Sequence, residues 1–196
     1  MPHNLQNRRY IGNKYKLLPF IDLTLREEGV VFDSFADMFA GTGVVSEYFM
    51  AQGKQCIIND SLYSNYIFYT AWLSNLEYDS NKVAQWINYY NASNTFVEDN
   101  YFSDTFSNTY FHYEDAKRIG SIRQQLEKHK ADFTLREFAI LLSSLLYTTD
   151  RIANTVGHFE AFLSTPPRQK GIILEKLNLL EYKKNHTSIR KMQTNL

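Results

Sequence analysis

A short glycine turn between two acids is the part of this chain best equipped for chemistry. Phe35-Ala36-Asp37-Met38-Phe39-Ala40-Gly41-Thr42-Gly43 carries an apolar run into a Gly-x-Gly, and Asp60 closes the next apolar run, Gln55 to Asp60. A strand that ends in such a turn and feeds a helix leaves backbone N–H groups free at the helix N-terminus, and glycine lets a ligand approach the main chain closely. An acid roughly twenty residues further on, at the tip of the following strand, can accept both hydroxyls of a ribose. Those hydroxyls are neutral, so a carboxylate gains two charge-assisted bonds and meets no repulsive phosphate. The same residues admit a plainer role, in which Asp60 caps a helix that begins near Leu62. Spacing alone does not separate the two.

The elements that must position these residues follow from hydrophobic period and punctuation. Leu17, Leu18, Ile21 and Leu25 recur at a helical period, and Gly29 ends that pattern. Val30 to Asp37 reads as a strand, Val44 to Ala51 as a helix ending near Gly53, and Gln55 to Asp60 as a second strand. The second strand's apolar run suits burial on both faces, as in a parallel sheet. Strand, turn, helix and strand make a βαβ unit, for which a right-handed crossover is expected. Beyond Asp60 the pattern is mostly helical: Leu62 to Leu76, Asn81 to Tyr90, Glu114 to Lys130, and a long apolar helix opened by the capping box Thr134-Leu135-Arg136-Glu137 and running toward Ile152. Asn91 to Asn108 lacks a period and reads as loop. Thr165-Pro166-Pro167 reads as a capped helix start, Ile172 to Tyr182 as helix, and Thr187 to Met192 as a short strand.

Composition excludes several classes. The chain has 196 residues, 44% hydrophobic, with 14 Tyr and 14 Phe, which suits one packed core with a small appendage and not a disordered chain. Lys and Arg number 21 against 21 acids, so nucleic acid would have to be met by local basic patches such as Arg8-Arg9 with Lys14 and Lys16. Cys56 is the single cysteine and lies in an apolar run, where it reads as a buried small hydrophobe. No Cys/His set has structural-zinc spacing, and no metal is expected. There is no signal-peptide pattern and no apolar stretch long enough to span a membrane, so a cytoplasmic protein is expected. The aromatics Tyr63, Tyr66, Phe68, Tyr69 and Trp72 have helical spacing and read as core.

Taken together, Arg9 to Leu18, Phe35 to Gly43 and Asn59-Asp60 resemble the cofactor-binding motifs of Dam-like adenine-N6 DNA methyltransferases. Tyr10, Gly12 and Lys14 match the family's N-terminal motif, with Lys14 placed for the methionine carboxylate. Phe39-Ala40-Gly41-Thr42-Gly43 is similar to the family's Phe-x-Gly-x-Gly, and Asp37 stands where an acid usually precedes that Phe. Asp60 matches the ribose-binding step, with Ser61 and Leu62 near the adenine. Asp150 to Phe159 resembles a stretch of the target-recognition region, with Arg151 and Asn154 as candidate readers of base edges and His158 as a phosphate contact. Arg9 is a further DNA candidate. The resemblance implies S-adenosylmethionine as cofactor and double-stranded DNA as partner. It implies an α/β, Rossmann-like methyltransferase fold, here incomplete, divided into a cofactor-binding part (1–76), a helical target-recognition part (77–186) and a strand returning to the sheet (187–196).

The departure from that family is chemical. No Asp/Asn/Ser-Pro-Pro-Tyr/Phe/Trp tetrapeptide occurs, and the only Pro-Pro, Thr165-Pro166-Pro167-Arg168, has Thr for the acid or amide and Arg for the aromatic. The adenine amino group is a poor nucleophile, and the tetrapeptide's oxygens and stacking ring are what the family brings to it. No catalytic residue is therefore assigned in this chain. The leading reading is the cofactor-binding and DNA-recognition portion of an adenine-N6 methyltransferase from a restriction-modification system, with the catalytic half on a second chain or two copies covering each other's open sheet edge. The alternative is a truncated or split-off chain that binds without turnover. A dinucleotide-dependent enzyme is a third reading, disfavoured because Ser46 stands where the fingerprint needs its third glycine.

Overall fold

The computed structural model describes residues 12–92, 98–157, 159, 161–179 and 188–191. The chain divides into two compact units, Tyr78–Leu177 and a second formed by Asn4–Glu77 with Asn178–Leu196. The second unit is mixed α/β and carries a three-stranded sheet in the order β1 (Ser34–Asp37), β2 (Gln55–Asp60), β3 (Ser188–Lys191). Both pairings are parallel, with Asp37 opposite Ile58 and Asp60 opposite Lys191. The strand, turn, helix and strand read from the sequence are present, with α2 (Val44–Ala51) between β1 and β2. β1 pairs only with β2 among the described residues, so its other edge is open.

β1 is shorter than the apolar run that announces it. Val30 to Asp33 lies outside the strand, and Val31 is 93% exposed. Pairing starts only at Ser34 because β2 offers its backbone from Gln55 onward. Behind the strand, Phe32, Phe35 and Phe49 pack edge to face with centroids 5.3 to 5.9 Å apart, a geometry aromatic rings favour. α1 (Leu18–Glu27) follows a single 3-10 turn at Tyr15–Leu17. α3 (Tyr63–Trp72) is buried along most of its length, and Trp72 Nε1 donates to the Asn178 carbonyl at 3.1 Å.

The other unit is helical: α4 (Ser80–Ala92), α5 (Tyr101–Phe106), α6 (Tyr113–Lys128) and α7 (Leu135–Ile152). The capping box at the start of α7 forms as the sequence predicts, with Glu137 N donating to Thr134 Oγ1 at 3.2 Å and Thr134 N to Glu137 Oε2 at 2.9 Å. α5 corrects the loop expected over Asn91 to Asn108. It is too short to show a hydrophobic period, and its signal is the cap, where Asn100 Oδ1 accepts from Phe102 N and Ser103 N.

Two expected helices are absent among the described residues. No helix starts at Pro166-Pro167, and residues 171–179 run without helix. Ile172 and Leu174 are buried while Ile173 between them is exposed, the alternation of an extended segment, and Leu177 is buried beyond them. Its backbone groups are satisfied by side chains: Asn91 bonds both the N–H and the carbonyl of Leu174, Ser144 Oγ donates to Glu175 O, and Thr148 Oγ1 donates to Ile173 O. That supply removes the need for helical bonds. The remainder of the expected helix, residues 180–182, lies outside the described residues. Among those residues, no helix is long and apolar enough to cross a membrane.

Candidate functional site

The carboxyl ends of β1 and β2 bring the two acids to one turn. Gly41 and Gly43 both adopt positive φ, 58° and 81°, a region open to glycine at little cost. Gly43 is also the N-cap of α2, and its N–H closes the turn on Ala40 O at 2.9 Å. A Cβ at position 43 would sit 3.1 Å from Tyr69 Cε1, so a side chain there would press on the Tyr69 ring. Ala40 and Thr42 are buried, whereas Phe39 is 77% exposed at the lip.

Asp60 ties this turn to the next helix. Gly41 N donates to Asp60 Oδ2 and Leu62 N to Asp60 Oδ1, each at 2.9 Å. The plainer role for Asp60, bracing the start of α3, is thus present, and so is a bond to the glycine turn. A carboxylate has about four acceptor positions, so both oxygens keep a lone pair for a further donor. Asn59 adds a second brace. Its Nδ2 donates to Met38 O at 3.0 Å while its own carbonyl accepts from Ala40 N at 3.1 Å. Ser61 and Leu62, at the β2 tip, are exposed.

Asp37 is held from α2. Ser46 Oγ donates to Asp37 Oδ2 at 2.8 Å, so the residue that breaks the dinucleotide fingerprint instead fixes the acid at the end of β1. Burial pushes the Asp37 carboxyl above its usual range; the Ser46 bond and Lys14 oppose this, and nearby Asp60 adds to it. Lys14 Nζ reaches the same turn and donates to Phe39 O at 3.3 Å. Gly12 has positive φ, 86°, as a tight turn before Lys14 requires. The candidates Arg9, Tyr10 and His158 lie outside the described residues.

Sequence reasoning missed Tyr69, which it read only as core. Its ring is 1% exposed, yet its hydroxyl donates to Gly41 O at 2.6 Å. The available signal was a tyrosine, and not a phenylalanine, at a buried helical position, because a buried phenol needs a partner.

Beside this turn, on the flank of α1 and α2, lies a cleft of about 820 Å³ that includes neither Asp60 nor the Gly41-Thr42-Gly43 turn. Tyr15, Leu18 and Leu23 line one wall and Val44, Glu47 and Tyr48 the other. Burial alone raises the Glu47 carboxyl, which has no hydrogen-bond or ion-pair partner among the described residues. Its folded-state pKa lies above the unfolded 4.5, so the protonated form suits the fold and a penalty appears as pH rises through the folded value. Glu47→Gln is expected to raise the thermal unfolding midpoint at neutral pH, and the gap to the parent should close as pH falls to about 4.5. A pH series of melting curves checks this. A gap independent of pH would mean that the carboxylate is solvated.

The helical unit holds the remaining candidates. Arg151 lies in the last turn of α7, is half exposed, and pairs with Glu175 at 2.7 Å. Asn154 is turned inward at 8% exposure, and its Nδ2 lies 2.9 Å from Thr165 O, 3.3 Å from Thr109 O and 3.4 Å from Leu163 O. With Leu163 N donating to Asn154 O and an antiparallel bridge between Thr155 and Phe162, Asn154 holds the base of a small hairpin. Val156, Phe159 and Phe162 are exposed on it. Among the described residues, no group of three or more His, Cys, Asp or Glu could hold a metal ion.

The parallel strand pair, its glycine turn and its terminal acid lie within a stretch that matches the D12 class of N6 adenine-specific DNA methyltransferases. Residues 10–193 match that family, and the chain belongs to it. Enzymes of this class take their methyl group from S-adenosylmethionine. Among curated proteins, the chain is 32% identical over 169 residues to modification methylase LlaI of Lactococcus lactis subsp. lactis, covering 79% of this chain and 27% of that protein. It is 29% identical over 162 residues to type II methyltransferase M.NlaIII of Neisseria lactamica, covering 79% and 48%. It is 32% identical over 196 residues to type II methyltransferase M.FokI of Planomicrobium okeanokoites, covering 91% and 30%. The chain thus spans between about a quarter and a half of the length of these relatives. No solved structure matches it.

Proposed function

We propose that this chain is the cofactor-binding and DNA-recognition portion of an adenine-N6 DNA methyltransferase of a restriction-modification system. The observation that carries the reading is the Asp60 carboxylate, bonded to Gly41 N and still able to accept from a ligand at the mouth of the turn. The residues present fit S-adenosylmethionine. Asp60 takes the ribose hydroxyls, the Gly41-Thr42-Gly43 backbone shapes the pocket floor, and Ser61 lies beside the adenine. Lys14, already at the turn, holds the methionine carboxylate, and Asp37 with Ser46 fixes the end of β1. The exposed Phe39 ring covers the apolar side. When bound, the cofactor supplies an electrophilic methyl group.

In this reading the sheet is part of a Rossmann-like fold, with residues 1–76 and 187–196 forming the cofactor part and 77–186 the target-recognition part. Arg151 meets DNA from the exposed end of α7, and Asn154 acts through the hairpin that it holds. The open edge of β1 receives the catalytic half, whether as a second chain or as another copy, since unpaired parallel strand edges invite pairing. The tetrapeptide absent from these residues would come with it.

Calorimetric titration with S-adenosylmethionine tests the reading. Saturable binding with a stoichiometry near one is expected of a chain that assembles its own cofactor site. A folded chain that shows no heat of binding at millimolar cofactor would defeat it. A methylation assay is a poorer first test, because inactivity is what the missing tetrapeptide leads one to expect.

A further inference from the structure

We infer that Tyr69 is the positioning residue of the cofactor turn, holding the Gly41-Thr42-Gly43 backbone in its receiving shape from beneath; this rests on the cofactor reading above. Two contacts from one side chain carry it. The hydroxyl donates to Gly41 O at 2.6 Å, and the ring lies so close to Gly43 that a Cβ there would meet it at 3.1 Å. Asp60 grips the same Gly41 peptide residue through its N–H. Gly41 is thus held on both its amide and its carbonyl, by an acid from β2 and a phenol from α3. Tyr69 is 1% exposed and Thr42 is 2% exposed, so water is a poor substitute for either grip.

The consequence is geometric. Both glycines have positive φ, and a turn of two glycines has more freedom to relax than any other pair of residues. A site held within about half an ångström of its binding geometry needs its neighbours locked by packing and hydrogen bonds. Asp60 touches the ligand in this scheme, whereas Tyr69 does not and acts only through the turn.

Tyr69→Phe keeps the ring and removes the hydroxyl. In the ligand-free protein, amide exchange at Gly41 and Gly43 should quicken, while exchange in β2 at Cys56 and Ile58 stays as in the parent. The affinity for S-adenosylmethionine should fall about tenfold, the size of one lost hydrogen bond. Ser74→Ala is the control, since it removes a buried hydroxyl bond to Thr70 O just beyond the same helix and should leave both readings unchanged. Unaltered turn exchange in Tyr69→Phe overturns the proposal, as does parental affinity in a parent that binds. A parent that binds no cofactor defeats the functional reading instead, and the ligand-free exchange still decides the brace. Should Tyr69→Phe not fold, exchange in the parent decides: Gly41 and Gly43 amides as fast as an open loop would overturn the brace.

Discussion

Asp60→Ala is expected to reduce affinity for S-adenosylmethionine by at least about a hundredfold, equivalent to nearly 3 kcal/mol. The loss has two sources. In the proposed reading the variant removes the acceptor for the ribose hydroxyls, and hydrogen bonds to a charged group are each worth about 1.5–3 kcal/mol. It also releases Gly41 N and Leu62 N, so the turn and the start of α3 lose their common anchor. Asp60→Asn should be nearly as damaging, which separates this site from one that needs only bulk. Both oxygens of Asp60 accept from backbone N–H groups, so an amide must turn its NH2 toward one of those donors. Calorimetry on both variants, with melting curves to establish folding, is the measurement. Affinity within about threefold of the parent for folded Asp60→Ala would remove the ribose role, on the same affinity scale.

The turn was legible in the sequence because each of its parts obeys a local rule. An apolar run gives the strand, Gly-x-Gly gives the turn, and the interval to Asp60 gives one βαβ step. Tyr69 was not legible, because its helical period assigns it to the core correctly while its hydrogen-bond partner lies 28 residues away. The same non-local cause explains residues 171–179. Ile172, Ile173, Leu174 and Leu177 fit a helical stripe as well as an extended segment, and the choice is made by Asn91, Ser144 and Thr148, which bond their backbone. Asn154 was read by type, as an amide able to meet a base edge, but type does not say which way an amide faces. Its neighbours Thr109, Leu163 and Thr165 place acceptors around it inside the fold. Among the described residues β1 pairs with β2 alone, and the order of motifs is why an unpaired β1 edge was expected.

Gly120→Ala should destabilise the protein by about 3 kcal/mol, against the gain of nearly 1 kcal/mol that helix propensity alone assigns to alanine over glycine. Gly120 lies within α6, and a Cβ there would fall 1.8 Å from Asn100 Oδ1 and 2.5 Å from its Cγ. Asn100 cannot step aside without loss. Its Oδ1 caps α5 through Phe102 N and Ser103 N, and its Nδ2 donates to Lys117 O on α6 at 3.0 Å. Loss of a cap costs about 1 kcal/mol, and forcing extra volume into packed structure about 1–3 kcal/mol. For a unit of this size the thermal midpoint should drop by more than about 10 °C. The double variant Asn100→Ala, Gly120→Ala isolates the cause. Once the Asn100 amide is gone the clash is gone, and alanine at 120 should then stabilise the Asn100→Ala background by up to about 1 kcal/mol. The sign of the Gly120→Ala effect therefore reverses with the residue at 100 if close contact is its origin. An effect of the same sign and size in both backgrounds would place the origin elsewhere in α6.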